Sequence, residues 1–141
     1  NSISTIFLIG GFVVLFSVLL SILDKSHFIS GLANFLNPIL NNLGISENFS
    51  SGIINGFIEL TNGVKQIATI PYKSISVNIV ICAFLLGFGG ISVLLQVFSI
   101  VSKSKISILP YFIGKLLQGV FASFYTYLLI SNFIIFNFDL M

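Results

Sequence analysis

Long uncharged apolar runs alternate with short polar interruptions along this chain, and the interruptions mark out its elements. Residues 3–23, ISTIFLIGGFVVLFSVLLSIL, carry no charge until Asp24 and Lys25 and are long enough to span a bilayer. Residues 28–43 have a different pattern: Phe28, Leu32, Phe35, Leu36, Ile39, Leu40 and Leu43 recur at helical spacing, with Asn34, Asn37, Asn41 and Asn42 between them. This predicts an amphipathic helix in the interface plane or packed on the protein, bent near Pro38.

After Gly44, Ser46 is a candidate helix cap and Glu47 stands in the first turn, where the helix dipole favours an anion. Residues 47–70 are too short and too interrupted to span. Gly52, Gly56, Glu59, Thr61, Asn62 and Gly63 predict a helix that enters the membrane, breaks near Thr61 to Gly63 and turns back. Backbone freed at membrane depth survives only where protein or a water-filled cavity supplies partners, so a cavity is expected there.

Pro71, Tyr72 and Lys73 read as an interfacial stop. The next 29 residues, 74–102, are uncharged, with Gly87, Gly89 and Gly90 near their middle. A second broken helix is expected over residues 77–101, helical over 77–86 and 91–101 and unwound between. Lys103 and Lys105 close that segment, and Pro110 suits the first turn of a last span over residues 110–136, uncharged from Lys115 to Asp139. Gly119 and Ser123 give this helix a small-residue stripe for close contact.

Composition turns this pattern into a class. The 141 residues are 56% hydrophobic and 7% charged, with a mean hydropathy of +1.11. Lipid needs no charged coat, whereas a soluble domain has about 25% charged residues. The chain is therefore expected to be an all-α integral membrane protein whose first partner is the lipid bilayer. Its six lysines are scattered and unaccompanied by arginine, which argues against nucleic acid as a partner.

Lys25, Lys65 and Lys73 fall on one side of the expected topology and Lys103, Lys105 and Lys115 on the other; the second group is tighter, which points to the cytoplasm. The chain starts with Asn, and its first apolar run has neither a basic leader nor a small-residue cleavage site, so it does not read as a signal peptide. With room for about five membrane-length segments, a fragment or domain of a longer polypeptide is expected.

The candidate chemistry centres on Glu59. A carboxylate at membrane depth faces a cavity and binds a cation, a proton or a substrate donor, or else it pairs with a lysine such as Lys65 and stitches the hairpin. Paired discontinuous helices meeting at the midplane build the binding sites of many secondary transporters. On that basis Asn55, Glu59, Thr61, Asn62, Gly63, Gly89, Gly90, Ser92 and Gln96 are the expected binding residues for a substrate or ion. Asn55 and Gln96 serve equally well as hydrogen bonds between helices, and the glycines as packing positions.

The other polar residues carry less. His27, the one histidine, reads as an interfacial residue rather than a zinc ligand, Lys115 as a snorkelling side chain, and Cys82 as a buried structural thiol. Asn48 opens a glycosylation-type tripeptide that is common by chance. HExxH, GxSxG and GxxxxGK[ST] are all absent, so no enzyme is expected and no catalytic or metal-ligating residue is assigned.

GFIELTNG (56–63), GFGGISVLLQVFSI (87–100) and KLLQGVFASF (115–124) together resemble the C-terminal half of sporulation integral membrane proteins of the YlbJ/SpoVV type. These carry nucleoside-recognition or gate domains and are similar to concentrative nucleoside transporters. The resemblance covers nearly the whole chain and implies one half of an inverted-repeat transporter, with an N-terminal half of the same protein as partner and a homo-oligomer as a further possibility. It implies an interfacial helix at 28–43, a re-entrant hairpin at 47–70 carrying Glu59 as the hairpin acid, a helix at 77–101 unwound around Gly89, Gly90 and Ser92, and a closing helix at 110–136. The sequence has Gly-Gly where nucleoside transporters tend to have a small residue and Asn, which favours the sporulation branch.

That branch implies transport of dipicolinate, a small aromatic dianion, across the mother-cell-derived outer forespore membrane of a bacterium. Glu59 would then act through a co-bound sodium ion or proton, or shape the hairpin through hydrogen bonds. The alternatives are a nucleoside transporter and a non-transporting gate or scaffold protein of the spore-maturation type, in which Glu59 is a structural acid.

Overall fold

The computed structural model describes residues 2–71, 75–101 and 107–138, and all elements among them are helical. Tyr72, Lys73, Lys103, Lys105 and Asp139, which the sequence places at segment ends, lie outside the described residues. The first helix, α1 (Ser2–Lys25), is 24 residues long, about 36 Å at 1.5 Å per residue and more than the hydrocarbon core requires. Among the described residues, three stretches are long and apolar enough to cross a membrane: Ile3–Lys25, Ser76–Ser99 and Leu109–Asn132. The chain is an all-α membrane protein.

α1 turns directly into α2 (Phe28–Asn42) at His27, which adopts the left-handed conformation with φ 60°. Two apolar faces share α2. Ile29, Ala33 and Leu40 pack inward, while Phe28, Leu32, Phe35, Ile39 and Leu43 stay exposed, an outward stripe suited to the membrane interface. The helix runs through Pro38 without interruption. Ser46 caps the short turn Glu47–Phe49, accepting from the Asn48 amide, and the buried Ser50 hydroxyl donates to Asn37 Oδ1 at 2.5 Å, tying this turn to α2.

The centre is a helical hairpin of α3 (Ser50–Ile58) and α4 (Leu60–Thr69). The pairing of Gly52 with Ile67 and Gly56 with Gly63 makes the arms antiparallel. A Cβ on Gly63 would stand 2.0 Å from Gly56 Cα, so the arms touch backbone to backbone. Phe49 and Ile67 from this unit meet Ile81 and Leu85 in the buried core. Asn78 fastens the far end: its Nδ2 donates to the Ile67 carbonyl at 2.8 Å, which also accepts from the Ile70 amide, and to the Ile70 carbonyl at 2.9 Å, tying α5 to the end of α4.

The long apolar stretch that follows is two helices, α5 (Ile75–Phe88) and α6 (Gly90–Val101), interrupted at Gly89. The last helix, α7 (Leu109–Phe138), has Pro110 in its first turn and runs antiparallel to α5. Gly87 and Gly119 set their separation, since a Cβ on Gly87 would lie 2.7 Å from Gly119 Cα. Phe57, Phe84, Phe88 and Phe112 pack beside this contact, with the Phe57 and Phe88 ring centres 5.0 Å apart. α1 and α7 leave most of their large apolar side chains exposed, as lipid or further protein requires.

The glycine contacts yield a paired prediction. Gly63→Ala forces a side chain into the Gly56 backbone and should destabilise the protein by about 2–3 kcal/mol. Gly31→Ala, with nothing within 4 Å of the added methyl, should be neutral or stabilising by up to about 1 kcal/mol. Thermal melting of both variants in detergent checks the contrast.

Candidate functional site

The first break consists of one residue. Glu59 lies between α3 and α4 in extended conformation, φ −141° and ψ 117°, and its amide donates to the Asn55 carbonyl at 2.7 Å to close α3. Its side chain then folds over the start of α4. Oε1 accepts from the Thr61 amide at 2.9 Å and Oε2 from the Asn62 amide at 2.8 Å, while the Glu59 carbonyl accepts from Gly63. The residue is 2% exposed.

The carboxylate thus compensates the amides that a helix start leaves open, and the helix dipole favours its charge. The break therefore sits at Glu59 rather than at Thr61 to Gly63, which form the first turn of α4. A side chain that can cap defines the interruption here; the glycine that follows lets the arms touch. Lys65 is exposed, and the Glu59 oxygens are held by backbone.

The second break uses backbone freedom. Gly89 and Gly90 have φ of +89° and +78°, a region that costs side-chain-bearing residues dearly, and the Gly89 amide closes α5 on the Leu85 carbonyl at 2.8 Å. A Cβ on Gly90 would lie 3.0 Å from the Gly56 carbonyl and 3.2 Å from the Leu60 amide. The two interruptions therefore meet, near the centre of the Ser76–Ser99 stretch. Ser92 and Gln96 follow on one face of α6, 1% and 9% exposed.

Lys115 of α7 reaches the same place, its Cε at 3.4 Å from where a Gly89 Cβ would be, with Nζ donating to Gln118 Oε1 at 3.0 Å. Its aliphatic stem lies against the C-terminal end of α5, the negative end of that helix dipole.

A polar cavity of about 200 Å³ flanks the hairpin, lined by Ser17, Leu20, Ser21 and Asp24 of α1 and Asn55, Asn62 and Gln66 of the hairpin. Asn62 Nδ2 donates to Ser17 Oγ at 2.9 Å, and Asn55 Nδ2 to Gln66 Oε1 at 2.6 Å across the arms. Asn55 Oδ1 is buried without a hydrogen-bond partner.

The nine expected residues thus divide. Glu59, Gly63 and Gly90 build the crossing, to which Thr61 and Asn62 contribute backbone amides; Thr61 is otherwise exposed. Asn55 and Asn62 also face the cavity, Gly89 meets Lys115, and Ser92 and Gln96 are buried on α6. Glu59, Thr61 and Ser92 do not line that cavity. Sequence reasoning missed Ser17, Ser21, Asp24, Gln66 and Asn78 and gave Lys115 no site. The spacing of Ser17, Ser21 and Asp24 on one helix face was the available signal for the first three.

The family described as Gate, nucleoside recognition, matches residues 6–104, from α1 to beyond α6. Sporulation integral membrane protein YlbJ of Bacillus subtilis (strain 168) is 33% identical over 129 residues, covering 92% of this chain and 31% of that protein. The chain spans about a third of the length of this relative. No solved structure matches it.

Removing the cap should be measurable. Glu59→Ala leaves two amides open and should lower stability by about 1–2 kcal/mol; Glu59→Gln, which keeps one acceptor, should lose less. Asn78→Leu, which removes the side-chain hydrogen bonds to the Ile67 and Ile70 carbonyls, should cost about 1–3 kcal/mol in the same detergent melts.

Proposed function

This chain belongs to the Gate family of nucleoside-recognition proteins, and from that premise we propose that it forms part of a secondary transporter for a small polar or anionic solute. One observation carries the reading: two interrupted helices cross with Gly90 against Gly56 and Leu60, and Glu59 caps α4 beside them. Interruptions that meet inside the membrane are how transporters expose backbone donors and acceptors to a solute. In this reading residues 47–70 are a re-entrant hairpin, and the site is completed by an N-terminal half of the same protein.

Dipicolinate is the specific candidate. The relative's name associates it with sporulation, and the outer forespore membrane is the corresponding location for this chain. A dianion suits a crossing approached by Lys115 and by the N-terminal end of α6, where the helix dipole is positive. The nucleoside alternative rests on the family description alone.

A non-transporting scaffold is favoured by a different observation. Glu59 is buried and both its oxygens are engaged by backbone amides, as a purely structural acid would be.

Equilibrium binding of dipicolinate and uridine to the purified full-length protein separates these readings. Transport of an anion predicts saturable dipicolinate binding that Lys115→Gln weakens about tenfold, the scale of one charge-assisted hydrogen bond. Gly90→Ala, which pushes a methyl against the Gly56 carbonyl, should abolish it. Binding of neither ligand by folded protein would leave the scaffold reading.

A further inference from the structure

Lys115 stands apart from the other described lysines. Lys25 and Lys65 are exposed, whereas Lys115 is half-buried and lies six residues inside α7, about 9 Å along a helix that is apolar enough to cross the membrane. A charge at that depth is costly unless something balances it. Among the described residues no carboxylate pairs with it: the ammonium makes one hydrogen bond, to Gln118 Oε1 at 3.0 Å, while Glu47 and Glu59 are engaged elsewhere. Gln118 belongs to the next turn into the span, so the side chain does not run back to the nearer helix end as a snorkelling lysine does.

What faces Lys115 instead is the second break. Its Cε comes to 3.4 Å from the point where Gly89 would carry a Cβ, and α5 ends just before Gly89. The Gly89 amide closes on the Leu85 carbonyl, and the left-handed angles at Gly89 and Gly90 then turn the chain out of the helix. The ladder of α5 therefore supplies no amide to the Leu86, Gly87 and Phe88 carbonyls. Their dipoles make this end of α5 negative, at a depth where salt screens little. α7 is packed tightly here, since a Cβ on Gly87 would lie 3.0 Å from the Gln118 carbonyl.

We propose that Lys115 is a tethered cation that balances the C-terminal end of α5 at the second break. Half-helix ends of this kind are where ion-coupled transporters hold a dissolved cation. Here the positive charge belongs to the chain, and the break keeps it whatever the ionic composition of the solution. The ammonium bonds none of the three carbonyls directly, so it acts on the helix dipole as a whole.

This makes Lys115 a positioning residue. It favours the ending of α5 at Gly89, which leaves Gly90 free to meet Gly56 and Leu60. The role stands on the packing of α7 against α5 and does not need the transport reading to hold.

The test is chemical rescue, read as thermal melting of the full-length protein in detergent and requiring no solute. Lys115→Ala removes the side chain beyond Cβ, for which n-propylammonium is the missing piece. In choline chloride this variant should melt about 2–4 °C below wild type, the scale of a partly buried charge at a helix end. n-Propylammonium chloride at the same ionic strength should recover most of that loss, saturably, and leave wild type where it was. 1-Propanol, similar in shape but uncharged, should not. Lys115→Met, which keeps an apolar stem, should melt as low as Lys115→Ala, and it carries the test alone if the Ala variant does not fold.

Equal recovery with 1-propanol would overturn the proposal, because the stem rather than the charge would then matter. So would Lys115→Met melting at the wild-type temperature, or a Lys115→Ala protein that n-propylammonium leaves where choline does.

Discussion

A helix interrupted inside a membrane leaves amides and carbonyls that no water can reach, and the rest of this fold follows from how those groups are satisfied. At the first interruption a side chain does it: Glu59 turns back over α4 and accepts from Thr61 and Asn62. At the second, Gly89 and Gly90 take up backbone angles that let the chain restart at once as α6. Asn78 serves the other end of α4, donating to the Ile67 and Ile70 carbonyls. Glu59 and Asn78, both deep in the structure, can be understood from the backbone they serve.

Satisfying the breaks is not enough to bring them together; that needs close approach. Gly56 against Gly63 draws the hairpin arms into backbone contact, Gly90 meets Gly56 and Leu60, and Gly87 meets Gly119 of α7. With no hydrophobic drive between helices in lipid, small residues that permit such contact carry association. The result is a closely packed centre, rimmed by Phe57, Phe84, Phe88 and Phe112, with most large apolar side chains of α1 and α7 exposed. Family membership fits this division, because the matched residues 6–104 contain both interruptions and end before α7.

The sequence made the breaks visible but not what closes them. Glycine clusters in uncharged runs mark where a membrane helix cannot continue, so the interruption at Gly89 was legible, as was the helical class and the family. The first break was placed two residues too late, because glutamate is not among the usual capping residues and Thr61 to Gly63 look like a turn. Asn78 escaped notice because its partners lie in another helix, and a single sequence carries no record of such pairings. The same holds for the cavity: Ser17, Ser21 and Asp24 share a face of α1, but only tertiary contact sets them opposite Asn55, Asn62 and Gln66.

The two interruptions meet at Gly56, Leu60 and Gly90, and cysteine cross-linking in native membranes tests this most directly. Phe57 and Phe88 stand on either side of the meeting point with ring centres 5.0 Å apart. In full-length protein with every native cysteine, Cys82 among them, replaced by Ala, cysteines at 57 and 88 should be joined efficiently by a short bis-methanethiosulfonate. A pair at 57 and 121, the latter on the exposed face of α7, should not. Equal yields for the two pairs, or no cross-link at 57 and 88, would mean the broken helices do not cross as described.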